Sequence, residues 1–514
     1  MIRKKTGLYL SRFLIVFLAI ISQAIIMWIL TSILKKRFEW VSIVLSVIGV
    51  LLFLYISNKE QSAVFKLPWL ILILLVPVGG IVIYFTFGNV TLSKKQMQKF
   101  RHIYDDRGEF NEEYYNQAEV LSKLSEDKSR GEGIIKYLRS TTSLPVFNNT
   151  KTTYLRCGED FFESLKEELK KAEKYVFLEY FIIEEGKMFD GIMEILKEKM
   201  EKGVQIYLLY DDIGSISKVS KHFAQDLRKK GINARKFFKF VPVVSVIHNN
   251  RDHRKIAVID GKVGFMSGAN IADEYINETS PYGRWLDNAV KIEGQATDNL
   301  VRLFIQLYNM AGGSSLDEKD FVSREHIEVN DGYVLPFGDS PSPIDEYHIA
   351  ETVYLDIISR ANKYLYITTP YLVVDTHVTD ALKNAVKRGV DVRIIIPEVP
   401  DKKPIYIMTK NACSLLAKEG VKIYTYRDGF IHSKTFLSDG NIGVVGTVNL
   451  DYRSLVHHFE CATLLCETQS LNDLYEDFLH LFECECDEKT EKDLALKYYE
   501  KPFKVLLNML APLI

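Results

Sequence analysis

The arrangement His253-x-Lys255-x4-Asp260 recurs as His432-x-Lys434-x4-Asp439, and a short Gly/Asn segment follows each copy. Gly264–Asn270 follows the first and Gly446–Asn449 the second. A motif duplicated together with its surroundings points to a chain built from two equivalent halves. Residues two apart on an extended strand share a face. Each copy therefore presents one imidazole and one ammonium in the same direction. Together the copies offer His253 and His432, Lys255 and Lys434, and the amides of Asn270 and Asn449, a set able to hold one phosphodiester and cleave it. The motif aspartates Asp260 and Asp439 complete the candidate catalytic set. Separated from the lysine by four residues, they leave the strand and read as structural carboxylates that pin the turn.

The duplication extends well beyond the motif. Lys171–Phe181 echoes Arg360–Tyr371, Lys202–Tyr210 echoes Arg388–Ile396, and Lys230–Ala234 echoes Glu419–Ile423. In the first half an apolar-striped helix (Phe161, Leu165, Leu169, Ala172) precedes a β-branched and aromatic run, and the second half repeats the order. Alternating helix and strand patterns predict α/β lobes with a largely parallel core sheet. The lobes are expected over 151–310 and 347–490, joined by a linker at 311–346 rich in Gly, Ser, Asp and Pro. Two such lobes would bring both histidine strands to a shared interface, where a pocket is expected. Gly203 and Gly389 sit where helices end before strands, the usual place for a C-terminal glycine cap. No G-x-x-x-x-G-K-[ST] or G-x-G-x-x-G run opens a helix, so a nucleotide role has no support.

The first ninety residues differ in kind. Phe13–Leu34, Trp40–Ser57 and Pro68–Phe87 are apolar runs of 22, 18 and 20 residues. About 20 apolar residues cross a bilayer core, so residues 1–92 predict a multi-pass anchor of three transmembrane helices. Further runs follow the first, which argues against a cleaved signal peptide. If the segment at Lys35–Arg37 and the tail after Phe87 share a side, that side carries eight basic residues against six opposite, a mild preference for a cytoplasmic catalytic domain at the cell membrane. Residues 93–150 read as a juxtamembrane connector. In 491–514, the apolar stretch Phe503–Ile514 is too short to span, and interfacial contact and core packing both remain open. A net charge of −2 excludes a globally basic nucleic-acid binder. The six cysteines lack paired C-x2-C spacing and no H-E-x-x-H occurs, so neither a metal nor another cofactor is expected.

An imidazole that attacks or protonates needs a carboxylate on its second nitrogen to fix the tautomer and steady the cation. Asp287 lies 34 residues after His253, and Glu460 lies 28 after His432. Both are candidate histidine-orienting residues.

The doubled motif resembles the signature of the phospholipase D superfamily. Along nearly its full length the chain is similar to bacterial cardiolipin synthases of that type. The matching residues are Trp69, Pro77–Gly80, Tyr84 and Gly88 near the N-terminus, then Tyr210–Ser215, Asn250–Gly261, Asn270–Tyr275, Thr369–Tyr371 and Asn449–Ser454. It departs from the family at Ser267, often Gly, and at Leu286 and Ala289, often Arg and His. The resemblance implies two pseudo-symmetric lobes sharing one active site, with His253 attacking phosphorus to form a phosphohistidine and His432 protonating the leaving alkoxide. Lys and Asn groups would stabilise the non-bridging oxygens. The implied substrate is phosphatidylglycerol, the products cardiolipin and glycerol, and the setting a lipid bilayer without nucleic acid. Alternatives with the same residues are a phospholipase D hydrolase and a phosphatidyltransferase using another alcohol. An inactive membrane scaffold is disfavoured because both His/Lys pairs are intact.

Overall fold

The computed structural model describes residues 39–59, 63–87, 115–238, 250–323, 331–341 and 348–511, with the single positions 98 and 329. The chain divides into two compact units, the first holding the N-terminal helices and Pro502–Ile514, the second holding most of the remainder.

In the first unit, α1 (Glu39–Ser57), α2 (Ala63–Leu75) and α3 (Pro77–Phe87) pack through Leu52, Ile56, Ile73, Ile81 and Tyr84. The expected span Phe13–Leu34 lies outside the described residues. Among the described residues, no helix is long and apolar enough to cross a membrane. The expected third span, Pro68–Phe87, is not one helix. It breaks at Val76, before a proline that disfavours helical backbone in its predecessor and suits a first helical position itself. Helix α3 then folds back on α2, so the Trp69 and Tyr84 rings meet edge to face at 5.5 Å. Gly80 makes the close approach possible, since a Cβ there would stand 2.8 Å from the Ile73 Cα. Lys59 Nζ donates to Tyr84 Oη at 3.0 Å, and Lys66 Nζ donates to the Ser57 and Lys59 carbonyls. Ile43, Val47, Leu51 and Leu54 of α1 remain exposed. The C-terminal helix Glu500–Leu510 exposes Phe503 and Val505 and buries Leu507.

The second unit contains the two lobes. Lobe one carries β1 (Thr150–Leu155), β2 (Tyr175–Tyr180), β3 (Gln205–Asp211), β4 (Asn233–Phe237), β5 (Lys255–Ile259), β6 (Val263–Ser267), β7 (Arg284–Leu286) and β8 (Ala289–Gly294). Seven of these form a sheet in the order β1-β8-β6-β5-β2-β3-β4. Lobe two carries β9 (Tyr333–Asp339), β10 (Tyr364–Thr368), β11 (Leu372–Val373), β12 (Asp391–Pro397), β13 (Lys422–Tyr426), β14 (Gly429–Ile431), β15 (Thr435–Ser438), β16 (Ile442–Gly446), β17 (Leu450–Asp451), β18 (Glu460–Cys466) and β19 (Cys486–Lys489). Its sheet runs β19-β13-β12-β10-β15-β16-β18-β9. Strand β9 thus falls inside the segment expected to be a linker. Helices Gln117–Glu126 and Glu132–Thr142 lie within the expected connector.

The sheets are mixed rather than largely parallel. Within the two large sheets, among the described residues, only β2-β3-β4 and β10-β12-β13 run parallel, where helical crossovers separate the strands. The motif strands β5 and β15 enter antiparallel, because each turns directly into its neighbour β6 or β16, and a short turn permits no other direction. Asp260 and Asp439 hold those corners. Both have positive φ (54° and 52°). Asp260 accepts from the amides of Glu173, Lys174 and Tyr175 at 2.8 Å, and Asp439 from those of Asn362, Lys363 and Tyr364 at 2.7–3.0 Å.

The lobes are stitched by backbone pairing beside the motifs. Strand β7 of lobe one pairs in parallel with β14 of lobe two, and Asp252 bridges Phe459. The His253 amide donates to the Phe459 carbonyl at 2.9 Å, and the His432 amide to the Leu286 carbonyl at 2.7 Å. Each histidine, just ahead of its strand, is therefore bonded to the residue that precedes the other lobe's acidic candidate.

Candidate active site

That stitching exchanges carboxylates between the lobes. His253 Nδ1 lies 2.9 Å from Glu460 Oε2, and His432 Nδ1 lies 2.6 Å from Asp287 Oδ2. Both carboxylates are fully buried. Glu460 is also bonded by the Thr447 hydroxyl, and Asp287 Oδ1 accepts from the Asn288 amide at 3.0 Å. With Nδ1 held in each ring, Nε2 is the nitrogen left for chemistry.

Aromatic walls shape the imidazoles. Phe181 meets His253 at 5.0 Å between ring centroids, and Trp285 and Tyr275 meet His432 at 5.2 and 5.7 Å. The approach to His253 is fixed from behind by Asp211, which takes the Arg251 guanidinium at 2.7 and 3.0 Å and the Asp252 amide at 3.1 Å.

The electrostatics follow from burial against charge. Burial pushes His432 down to about 4, with Lys434 adding to the push and Asp287 opposing it. Burial likewise carries His253 well below its usual range, against the pull of Glu460. Burial depresses Lys255 to about 8 and Lys434 to about 7, opposed chiefly by Glu460 and Asp287 respectively. For the carboxylates burial works the other way and loses: Lys434 and His432 hold Asp287 below its usual range, and His253 holds Glu460 far below. Above the His432 value and below that of Lys434, two ammoniums thus balance two carboxylates around neutral imidazoles.

The lysines turn back onto their own strands. Lys255 Nζ donates to the His253 carbonyl at 2.5 Å, while Lys434 Nζ reaches the His432 carbonyl and stands 2.8 Å from its Nδ1. The asparagine amides are engaged locally. Asn270 Oδ1 accepts from the Ile182 amide and its Nδ2 donates to Tyr275 Oη at 2.5 Å, while Asn449 Nδ2 donates to Ser454 Oγ at 3.1 Å. The motif aspartates stand apart from this group, occupied at their corners.

Sequence reasoning passed over three neighbours of the imidazoles: Trp285, Thr447 and His458. The first and last were within reach of a pattern argument. Each sits two residues before an orienting carboxylate, the pleat repeat that returns a side chain to the same face. Among the described residues, His253, His458 and Glu460 are the one group whose donor atoms lie close enough together to share a metal ion.

The chain matches the family described as "Cardiolipin synthase, PLD-like domain" over residues 165–306 and 354–482, one stretch in each lobe. It is 40% identical to an uncharacterised protein of Streptococcus mutans, over 83% of this chain and 91% of that one. It is 30% identical to a cardiolipin synthase of Halalkalibacterium halodurans, over 92% of this chain and 93% of the relative. Among solved structures it resembles phosphatidylserine synthase of Haemophilus influenzae, with a TM-score of 0.57 at 15% identity, covering 74% of this chain and 97% of that one. At that identity the likeness speaks for the fold.

Proposed function

This chain belongs to the cardiolipin synthase family of phospholipase D-like proteins, and we propose that it condenses two phosphatidylglycerol molecules into cardiolipin and glycerol through a phosphohistidine. The observation that carries the reading is the crossed pair of carboxylate-held imidazoles, His253 with Glu460 and His432 with Asp287. In the first step His253 Nε2 attacks phosphorus and the bond to the headgroup glycerol breaks, its oxygen taking a proton from His432. In the second, a hydroxyl of another phosphatidylglycerol attacks the adduct, His432 removes the hydroxyl proton, and the P–N bond breaks. Phosphodiester is exchanged for phosphodiester, so no nucleotide is consumed. Lys255 and Lys434 are the cations available to the non-bridging oxygens once lipid draws them off their own carbonyls, and Asn270 and Asn449 flank them in sequence.

The charge balance explains how one imidazole becomes an acid. A phosphodiester adds one negative charge to a neutral, buried group, and a proton taken up by His432 restores neutrality. Binding of a non-cleavable phosphonate analogue should therefore take up about one proton. Calorimetry in buffers of different ionisation enthalpy measures it; binding without proton uptake would remove this account of the acid.

Association with the bilayer is the setting we propose, through the exposed apolar face of α1 and its neighbours. If the α2–α3 hairpin returns the chain to the side it left, Lys59 and Lys66 share that side with Lys94, Lys95, Lys99, Arg101 and Arg107. Such a cluster favours the cytoplasmic face.

Expression in cells lacking cardiolipin tests the whole. The wild-type chain should restore cardiolipin, and H253A and H432A should each abolish it while accumulating to normal levels. Phosphatidic acid as the main product from pure phosphatidylglycerol would make the enzyme a hydrolase.

A further inference from the structure

The pseudo-symmetry of the lobes is broken at one position beside the nucleophile. Two residues before Asp287 stands Trp285, whose ring lies 5.2 Å from that of His432. Two residues before Glu460 stands His458, whose ring lies 5.3 Å from that of His253. Where lobe one supplies a hydrocarbon wall, lobe two supplies a second imidazole. His458 is about nine-tenths buried, and its Nδ1 makes no hydrogen bond although Glu460 Oε1 is 3.4 Å away. A buried ring nitrogen held beside a carboxylate but outside hydrogen-bond geometry is costly unless something occupies the gap.

We propose that His253, His458 and Glu460 form an inhibitory site for a divalent cation of borderline softness, with zinc as its best occupant. The donor atoms of the three residues lie within 4.8 Å of one another. A tetrahedral zinc with ligands at about 2.0–2.2 Å needs them roughly 3.3 Å apart, which small side-chain rotations supply. Two imidazoles and one carboxylate are a donor set that zinc favours, and hard cations such as Mg²⁺ and Ca²⁺ prefer all-oxygen cages. The ion would form bonds to both imidazoles and to Glu460: bound through His253 Nδ1 it replaces the His253–Glu460 hydrogen bond and the Nδ1 proton passes to Nε2, and bound through Nε2 it takes the attacking lone pair while the Nδ1 proton stays in place. Through either nitrogen of His253, the outcome is the same: the imidazole loses its orienting carboxylate or its attacking lone pair. His432 has no such site, because Trp285 offers no ligand atom there. Only the first half of the reaction is open to this block.

The inhibitory consequence rests on His253 acting as proposed above; the binding does not, and the test separates them. Detergent-purified full-length protein is titrated with Co²⁺ and the visible d–d bands recorded, then Zn²⁺ is added to displace it and transfer is assayed in parallel. The wild-type chain and H432A, which needs no activity to bind, should both show the bands. In H458N the bands should vanish, while transfer continues and requires at least about tenfold more Zn²⁺ for half-inhibition, the scale of losing a ligand or its support. C484S, which removes an exposed thiol, should change neither readout, and Mg²⁺ should not compete. Bands unaltered in H458N, or unchanged zinc sensitivity there, overturn the site. Cobalt bound through His458 with transfer undiminished overturns the inhibition alone. Should H458N fail to fold, H458Q and the bands of H432A against the double variant H432A/H458Q give the same decision.

Discussion

Gly268 has room for a hydrogen and nothing larger, since a Cβ there would stand 2.0 Å from Asp287 Oδ1. G268A should therefore push Asp287 away from His432 and imitate D287N, each lowering kcat by about 10²–10⁴-fold, the scale of a lost orienting carboxylate. Circular dichroism should remain native, and full activity of G268A would show that Asp287 has freedom the packing does not suggest. The depressed lysines set the alkaline limit. Both are charged below their lowered pKa values, Lys434 at about 7 and Lys255 at about 8, so the free enzyme loses ammonium charge as pH rises through that window. kcat/KM, which reports the free enzyme, should fall between about pH 7 and 8, and K434R should move the fall upward while lowering kcat. A profile flat to pH 9 would mean the site is wetter than its burial implies. At this scale the sequence was legible where chemistry repeats: the motifs, Asp287 and Glu460 all announce themselves by type and spacing. Which carboxylate serves which histidine was not legible, because that is decided by pairing between segments about 150 to 200 residues apart.

Elements were legible where they are periodic and misleading where length alone was the signal. The run Pro68–Phe87 has the length and polarity of a span, yet Pro77 and Gly80 divide it between two helices, Ala63–Leu75 and Pro77–Phe87, folded on each other. Those residues were visible, but apolar length outweighed them. The parallel sheet was overestimated for a similar reason: alternating helix and strand patterns dominate each half, whereas the β5–β6 and β15–β16 hairpins are short. The hairpin makes a sharp topological forecast. In a chain with its own cysteines replaced, N58C and S93C should be labelled from the same side of sealed vesicles by a membrane-impermeant maleimide. Labelling from opposite sides would restore a continuous span. G80V, forced against the α2 backbone, should lower stability by about 1–3 kcal/mol, read as a reduced melting temperature in detergent.

For the whole molecule, the exchange of carboxylates means that neither lobe holds both a motif histidine and its carboxylate partner. A chain ending at residue 330 retains His253 and Lys255 but lacks Glu460. It should form no phosphatidyl adduct with labelled lipid, and co-expression of 331–514 should recover one. Adduct on the isolated first lobe would show that Glu460 is dispensable. The duplication predicted the architecture of two sheet-rich lobes, and the order of synthesis gives the proposed shared site a further meaning. Glu460 is made 207 residues after His253, an interval of roughly 10–40 s at ordinary translation rates. Throughout that time a nascent chain, already beside lipid if its N-terminal unit has engaged the bilayer, carries the proposed nucleophile without the carboxylate that holds it. On the proposed mechanism, a reagent for breaking and remaking lipid phosphodiesters is armed only when its second half has been delivered and docked.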